Sequence, residues 1–271
     1  MNRQTHFISG LPRSGSSLLS AILRQNPRFH ANISSPVASM FSTMLGEMSG
    51  RNEFSLFISD TQRQRILRGL FCNYYDELVD AEVVFDTHRS WCTRLGALNA
   101  LLPGSRVIAC VRQLPWVLDS IERLVRRNAF QPSSIFSYKA GGTVYSRVES
   151  LLSGEGLVGF AYNALKEAYF GEDTANLMLL QYETLVSTPP RALAAVYDFI
   201  GEPYFDHDFE NVSLDNDEFD ARAGTPGLHK IRPRVEANER KTLLPPDLAA
   251  RFKDDAFWRN PKVNPRGVRI V

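Results

Sequence analysis

The stretch SGLPRSGSSLLSAILRQNP, residues 9–27, constrains this chain more than any other. It follows the apolar run THFIS at 5–9 and passes into helical periodicity at Leu18, Leu19, Ile22 and Leu23. A strand, a glycine-bearing loop and a helix in that order let successive backbone N–H groups converge on one oxyanion, and the helix start adds about half a positive charge. Gly10 and Gly15 permit backbone conformations barred to other residues. Ser16 and Ser17 offer hydroxyls and Arg13 offers a cation. The expected occupant is a phosphate rather than the nothing of an ordinary strand-to-helix turn, because position, glycines, arginine and hydroxyls all agree.

Further strand signals follow at EVVFD (82–86), RVIACV (106–111) and NLMLLQYE (176–183), the last leading into the amphipathic PPRALAAVYDFI. Short apolar runs alternating with helical periodicity predict an α/β fold, a central parallel sheet with helices on both faces, whose ligands lie beyond the carboxyl ends of the strands. The 271 residues read as one P-loop NTPase-like domain spanning 1–271, with no linker or repeat and with helical lid insertions at about 35–80 and 129–172. Ser35 and Pro36 fit a cap and first-turn pair for the first insertion. AFQPSSIFSYKAGG, residues 129–142, reads as a long loop of the kind that serves as a lid or binding segment. The acidic stretch at 206–220 gives way to basic residues at 222–234.

Composition narrows the partners. With 31 basic and 30 acidic residues the net charge is +1, so no general field draws the chain to nucleic acid or an anionic membrane, and any anion must be held locally. No window approaches the roughly 20 apolar residues of a membrane span, and the amino terminus has no signal-peptide pattern. Cys72, Cys92 and Cys110 are odd in number and lack metal-ligand spacing. The expected setting is cytoplasmic, with no metal site.

The loop nearly matches the GxxxxGK[ST] phosphate-binding pattern, with Gly10, Gly15 and Ser17 in place, but Ser16 stands where the lysine belongs. An ATP or GTP enzyme needs that charge on the transferring phosphoryl group. A 3'-phosphoadenosine 5'-phosphosulfate (PAPS) enzyme needs one 5'-phosphate cradled and one developing charge neutralised, which Arg13 can supply.

PRSGSSLL, residues 12–19, resembles the 5'-phosphosulfate-binding loop of PAPS-dependent sulfotransferases, and arginine at Arg13 resembles their bacterial and tyrosylprotein-type branches. That resemblance implies that Pro12, Arg13, Ser14, Gly15, Ser16 and Ser17 hold the donor. The family's second signature, a strand ending in arginine with a serine eight residues later, is matched by Arg112 and Ser120, which it assigns to the 3'-phosphate. LLQYETLVSTPPRALAAVYDFIGEP at 179–203 resembles the family's strand, Tyr-Glu turn and terminal helix, placing Tyr182 near the adenine. The basic segment from Arg222 to Arg234 stands where relatives bring a carboxyl-terminal loop over the nucleotide, making Arg222, His229 and Lys230 candidates, although the RKGxxGDW wording is missing.

Sulfuryl transfer needs a base for the acceptor proton. His88, in VFDTHRSW at 84–91, follows the second predicted strand, and relatives carry a Lys-Thr-His triple at a similar place. Here Asp86 replaces the lysine, so Asp86 either orients His88 or acts itself. Arg89 and Trp91 adjoin them; Trp91 fits packing, and Arg89 could position donor or acceptor. The expected chemistry is metal-free transfer from PAPS to a hydroxyl or amine, releasing 3'-phosphoadenosine 5'-phosphate (PAP). The acceptor is a small molecule, glycan or peptide. The alternatives are a P-loop small-molecule kinase using ATP and Mg²⁺, and a non-catalytic nucleotide-binding protein.

Overall fold

A computed structural model describes residues 3–50, 53–78, 81–131 and 142–271. The four strands expected from apolar runs all form: β1 Gln4–Gly10, β3 Val83–Thr87, β4 Val107–Val111 and β5 Leu177–Gln181. Two short strands carried too few residues to show a period, β2 Phe29–Ala31 and β6 Arg269–Ile270. The sheet order is β2-β3-β1-β4-β5-β6 and every pairing is parallel.

Alternation along these strands sorts two cores. Phe7, Val84, Val107, Ala109, Leu177 and Leu179 face one layer. That layer holds α2 Val37–Glu47, α3 Asp60–Tyr74, α4 Leu95–Leu101, α5 Leu114–Arg127, α6 Val144–Leu152 and α7 Leu157–Phe170. Ile8, Val83, Phe85, Ile108, Cys110, Met178 and Leu180 face the other. There lie α1 Ser16–Leu23, α8 Tyr182–Ser187 and α9 Pro189–Ile200. The strands read as continuous apolar runs because both faces are covered.

The helices between 35 and 80 bury Val37, Ala38, Phe41, Leu67 and Phe71 in the first core. Ser35 Oγ accepts from the amide of Val37 at 3.2 Å, so the predicted start of α2 holds within a residue. The predicted long loop at 129–142 lies mostly outside the described residues. Beyond α9 the chain has little regular structure apart from α10 Asp217–Arg222, α11 Pro246–Arg251, short 3-10 turns and β6. Residues 228–240 return across the carboxyl ends of the strands. Among the described residues no helix is long and apolar enough to cross a membrane.

Candidate active site

The loop between β1 and α1 is pinned to β4. A Cβ on Gly10, whose φ is +100°, would lie 2.2 Å from the Cys110 carbonyl oxygen and 2.6 Å from its nitrogen, so only glycine lets the strands approach. The Leu11 amide donates to that carbonyl at 2.9 Å. Ser14 departs from expectation: its side chain is buried and its hydroxyl is shared between the carbonyls of Leu11 and Cys110, 2.8 Å from the latter. It shapes the loop and does not line the cavity, so any contact with a donor falls to its backbone. Arg13 takes φ +60° and Gly15 φ +98°, which turns the chain into α1.

A cavity of about 390 Å³ opens above this loop. Pro12, Arg13, Gly15, Ser16 and Ser17 form one wall, and Arg112, Ser120 and Tyr182 another. His88 and Arg89 close a third side, and the returning segment contributes His229 and Lys230. Most donor-site residues expected from sequence therefore share one cavity at the carboxyl edge of the sheet. No residue of α2 or α3 lines it; both helices pack on the first core, and Ile33 and Ser34, just before α2, do line it. From the second insertion Leu157 is the contributor among the described residues.

Arg13 crosses the cavity floor. Its Nε donates to Ser120 Oγ at 3.1 Å and its Nη1 donates to the Leu228 carbonyl. Burial, reinforced by Arg112, lowers its pKa to about 10, which leaves it charged at neutral pH with only neutral hydrogen-bond partners. Arg112 lies 3.9 Å above the Tyr182 ring centroid, a cation–π contact, and its Nε is buried without a hydrogen bond. Burial pulls its pKa down as well. Two partly desolvated guanidiniums with no direct ion pair among the described residues make a site that an anion stabilises.

Asp119, next to Ser120 and fully buried, forms ion pairs with Arg123 at 2.9 Å and Arg240 at 2.8 Å and accepts from the Leu243 amide at 2.7 Å. It ties the far end of the returning segment to α5. Arg232 and Arg234 also line the cavity; their signal was the basic composition at 222–234, which did not say which residues turn inward. Arg222 turns outward, pairing with Glu218 at 2.6 Å on the surface, because the last turn of α10 faces solvent there.

Asp86 is not in the cavity either. Its carboxylate is fully buried and accepts from Ser35 Oγ at 2.6 Å, Tyr75 OH at 2.6 Å and Trp91 Nε1 at 2.8 Å. It points to the first-core face of β3, so it neither touches His88 nor reaches a substrate. Burial raises its pKa, opposed by those three donors.

His88 is clamped to β1, its amide donating to the Ile8 carbonyl at 3.0 Å. The Ser90 amide donates to its Nδ1 at 3.2 Å, and Ser90 Oγ lies 2.7 Å from the same nitrogen. With Nδ1 accepting, the neutral ring carries its proton on Nε2. Burial, then Arg89, lowers its pKa to about 4. His229 has the opposite arrangement. Its Nδ1 lies 2.6 Å from Asp220 Oδ1 and its amide donates to Asp220 Oδ2 at 2.8 Å.

The family model described as "Sulfotransferase family" matches residues 6–206. By structure the chain is similar to the sulfotransferase domain from the curacin biosynthetic pathway, at 17% identity and TM-score 0.50, covering 76% of each chain. It is also similar to the sulfotransferase STF9 from Mycobacterium avium, at 12% identity and TM-score 0.51, covering 96% of this chain and 78% of that one. No curated protein matches by sequence. The tyrosylprotein type is not among these matches. The matched span takes in Arg13, His88, Arg112, Ser120 and Tyr182 and ends before Asp220 and His229.

Proposed function

Because the chain belongs to the sulfotransferase family, we propose that it moves the sulfuryl group of PAPS to an acceptor hydroxyl or amine by in-line displacement, releasing PAP. One observation carries the donor assignment. The β1–α1 loop, Arg13, Arg112 and Ser120 meet in a single cavity whose two half-buried guanidiniums make no direct ion pair among the described residues, the nearest carboxylates acting on them only through space.

The loop amides and the start of α1 suit the 5'-phosphate, with Ser16 and Ser17 adding hydroxyls. Arg13 neutralises charge developing on the bridging oxygen as the sulfur–oxygen bond breaks. Its contact with Ser120 yields to the ligand or persists beside it. Arg112 and Ser120 take the 3'-phosphate, and Tyr182, with Arg112 on one face, packs beside the adenine. Lys230 adds charge from the returning segment. An ATP enzyme would need the lysine that Ser16 replaces.

The acceptor must lose a proton as it attacks sulfur, and two imidazoles line the cavity to receive it, His88 and His229. The test is transfer from [³⁵S]PAPS to a panel of hydroxyl and amine acceptors, with PAP formation measured in parallel. Labelled product with matching PAP is expected; phosphoryl transfer from MgATP in its place would overturn the proposal.

A further inference from the structure

His229 lies on the returning segment, outside the span that matches the family, and its contacts are those of an imidazole held to accept a proton. We infer that His229 is the general base of the transfer, oriented by Asp220, and that His88 serves as a hydrogen-bond donor. This deepens the proposed sulfuryl transfer and rests on it.

Asp220 is 1% exposed, and both of its oxygens are engaged by one residue, Oδ1 by His229 Nδ1 and Oδ2 by the His229 amide. A carboxylate fixed at both oxygens holds the ring in one orientation and keeps the proton on Nδ1. The unshared pair then lies on Nε2, as in any carboxylate-oriented imidazole base. Nε2 has no hydrogen-bond partner among the described residues. At His88 the Ser90 amide takes the Nδ1 lone pair, so Nε2–H is a donor, and accepting a proton there would first require the other tautomer.

Location agrees with tautomer. Arg13 Nη1 donates to the carbonyl of Leu228, the residue immediately before His229, so the cation at the breaking bond and the imidazole are held by adjacent residues. Asp220 from α10, Arg13 from the loop and Arg89 from the β3 turn are the charged groups acting on His229, and the Phe219 ring packs 5.6 Å away. Burial, with Arg13 and Arg89, lowers the His229 pKa, and Asp220 opposes that. In the step, the acceptor oxygen or nitrogen bonds to sulfur and its proton passes to His229 Nε2. The sulfur–oxygen bond to the 5'-phosphate breaks, PAP leaves with that electron pair, and the imidazolium rests on Asp220 until solvent takes the proton.

The experiment combines single-turnover transfer from PAPS, PAP calorimetry and ¹⁵N NMR of the ring nitrogens in wild type, His229→Gln, His229→Ala, His88→Gln and Asp220→Asn. His229→Gln is expected to slow the chemical step about 10²- to 10⁴-fold with PAP affinity within about threefold. His229→Ala is expected to regain turnover with added imidazole. His88→Gln keeps the acid-side limb of the pH–rate profile, which His229→Gln loses, and Asp220→Asn shifts that limb. NMR of the wild type is expected to show His229 protonated on Nδ1 and His88 on Nε2. Full transfer by His229→Gln, a tenfold loss of PAP affinity as its main effect, or Nε2–H on His229 each overturns the inference while leaving sulfuryl transfer intact. A wild type that binds PAP and transfers nothing removes the proposed activity itself.

Discussion

Replacing Asp86 separates a group that builds the site from one that acts in it. Oδ2 receives two hydroxyls, from Ser35 and Tyr75, and Oδ1 receives the Trp91 indole N–H. Asp86→Ala leaves the buried Tyr75 and Trp91 donors and the half-buried Ser35 hydroxyl without their acceptor, at about 1–3 kcal/mol for each buried unsatisfied group. Partial relaxation brings the total to roughly 3–6 kcal/mol. Asp86→Asn keeps one carbonyl oxygen for Trp91 and lets the hydroxyls turn their protons away and accept from the new N–H₂. It loses charge assistance but escapes the burial cost that raises the Asp86 pKa, so about 1–3 kcal/mol is expected. At about 2–4 °C per kcal/mol, Tm should fall by roughly 2–12 °C. Calorimetry gives that shift, and single-turnover transfer well below the transition gives the chemistry. Asp86→Asn is expected to retain PAP affinity and turnover within about threefold under those conditions. An unchanged Tm with a hundredfold slower chemical step would show that Asp86 handles the proton and would refute the structural role.

Gly10→Ala should both destabilise the chain and abolish PAP binding, since its Cβ meets the Cys110 backbone at 2.2 Å and its φ is +100°; chemical denaturation and calorimetry check this, and a variant that binds PAP normally contradicts the loop geometry. Arg112→Ala should weaken PAP about 10- to 100-fold, and Arg112→Lys should rescue little, because an ammonium neither stacks as flatly on Tyr182 nor forks onto phosphate. Acidification should destabilise the protein. His6 is held to about 3, and His88 and His207 to about 4, all mainly by burial, so below pH 6.5 the unfolded chain takes up protons that the fold refuses. Stability should fall by on the order of 1 kcal/mol per pH unit per histidine as pH drops from 6.5 toward 4, read by urea midpoints across that range. A flat profile would contradict the buried neutral rings.

The four long strands and the β1–α1 loop were legible because their chemistry is local: an apolar run, two glycines and a helix start lie within one stretch of chain. Arg112 and Ser120 were legible through their resemblance to the family's second signature, a strand-end arginine with a serine eight residues on; their spacing alone would not have singled them out. What a residue faces was harder to read. Asp86 and His88 are two residues apart, yet strand alternation sends Asp86 into the core and the following turn sends His88 to the cavity. Ser14 carries the same hydroxyl as Ser16 and Ser17, but the positive φ at Arg13 and Gly15 turns it inward. β2 and β6 are held by pairing with neighbours and have no pattern of their own. The Asp220–His229 pair depends on an irregular segment whose path is set by tertiary contacts such as Asp119 with Arg240, which no periodicity records.

The central claim is that the β1–α1 loop and Arg13 hold the phosphosulfate end of PAPS. Calorimetric titration of wild type and Arg13→Ala with PAP, set against MgATP, tests it most directly. Wild type should bind PAP in the micromolar range, Arg13→Ala at least about tenfold more weakly, and MgATP should not displace the nucleotide. Tight MgATP binding by a wild type that ignores PAP at millimolar concentration would contradict it.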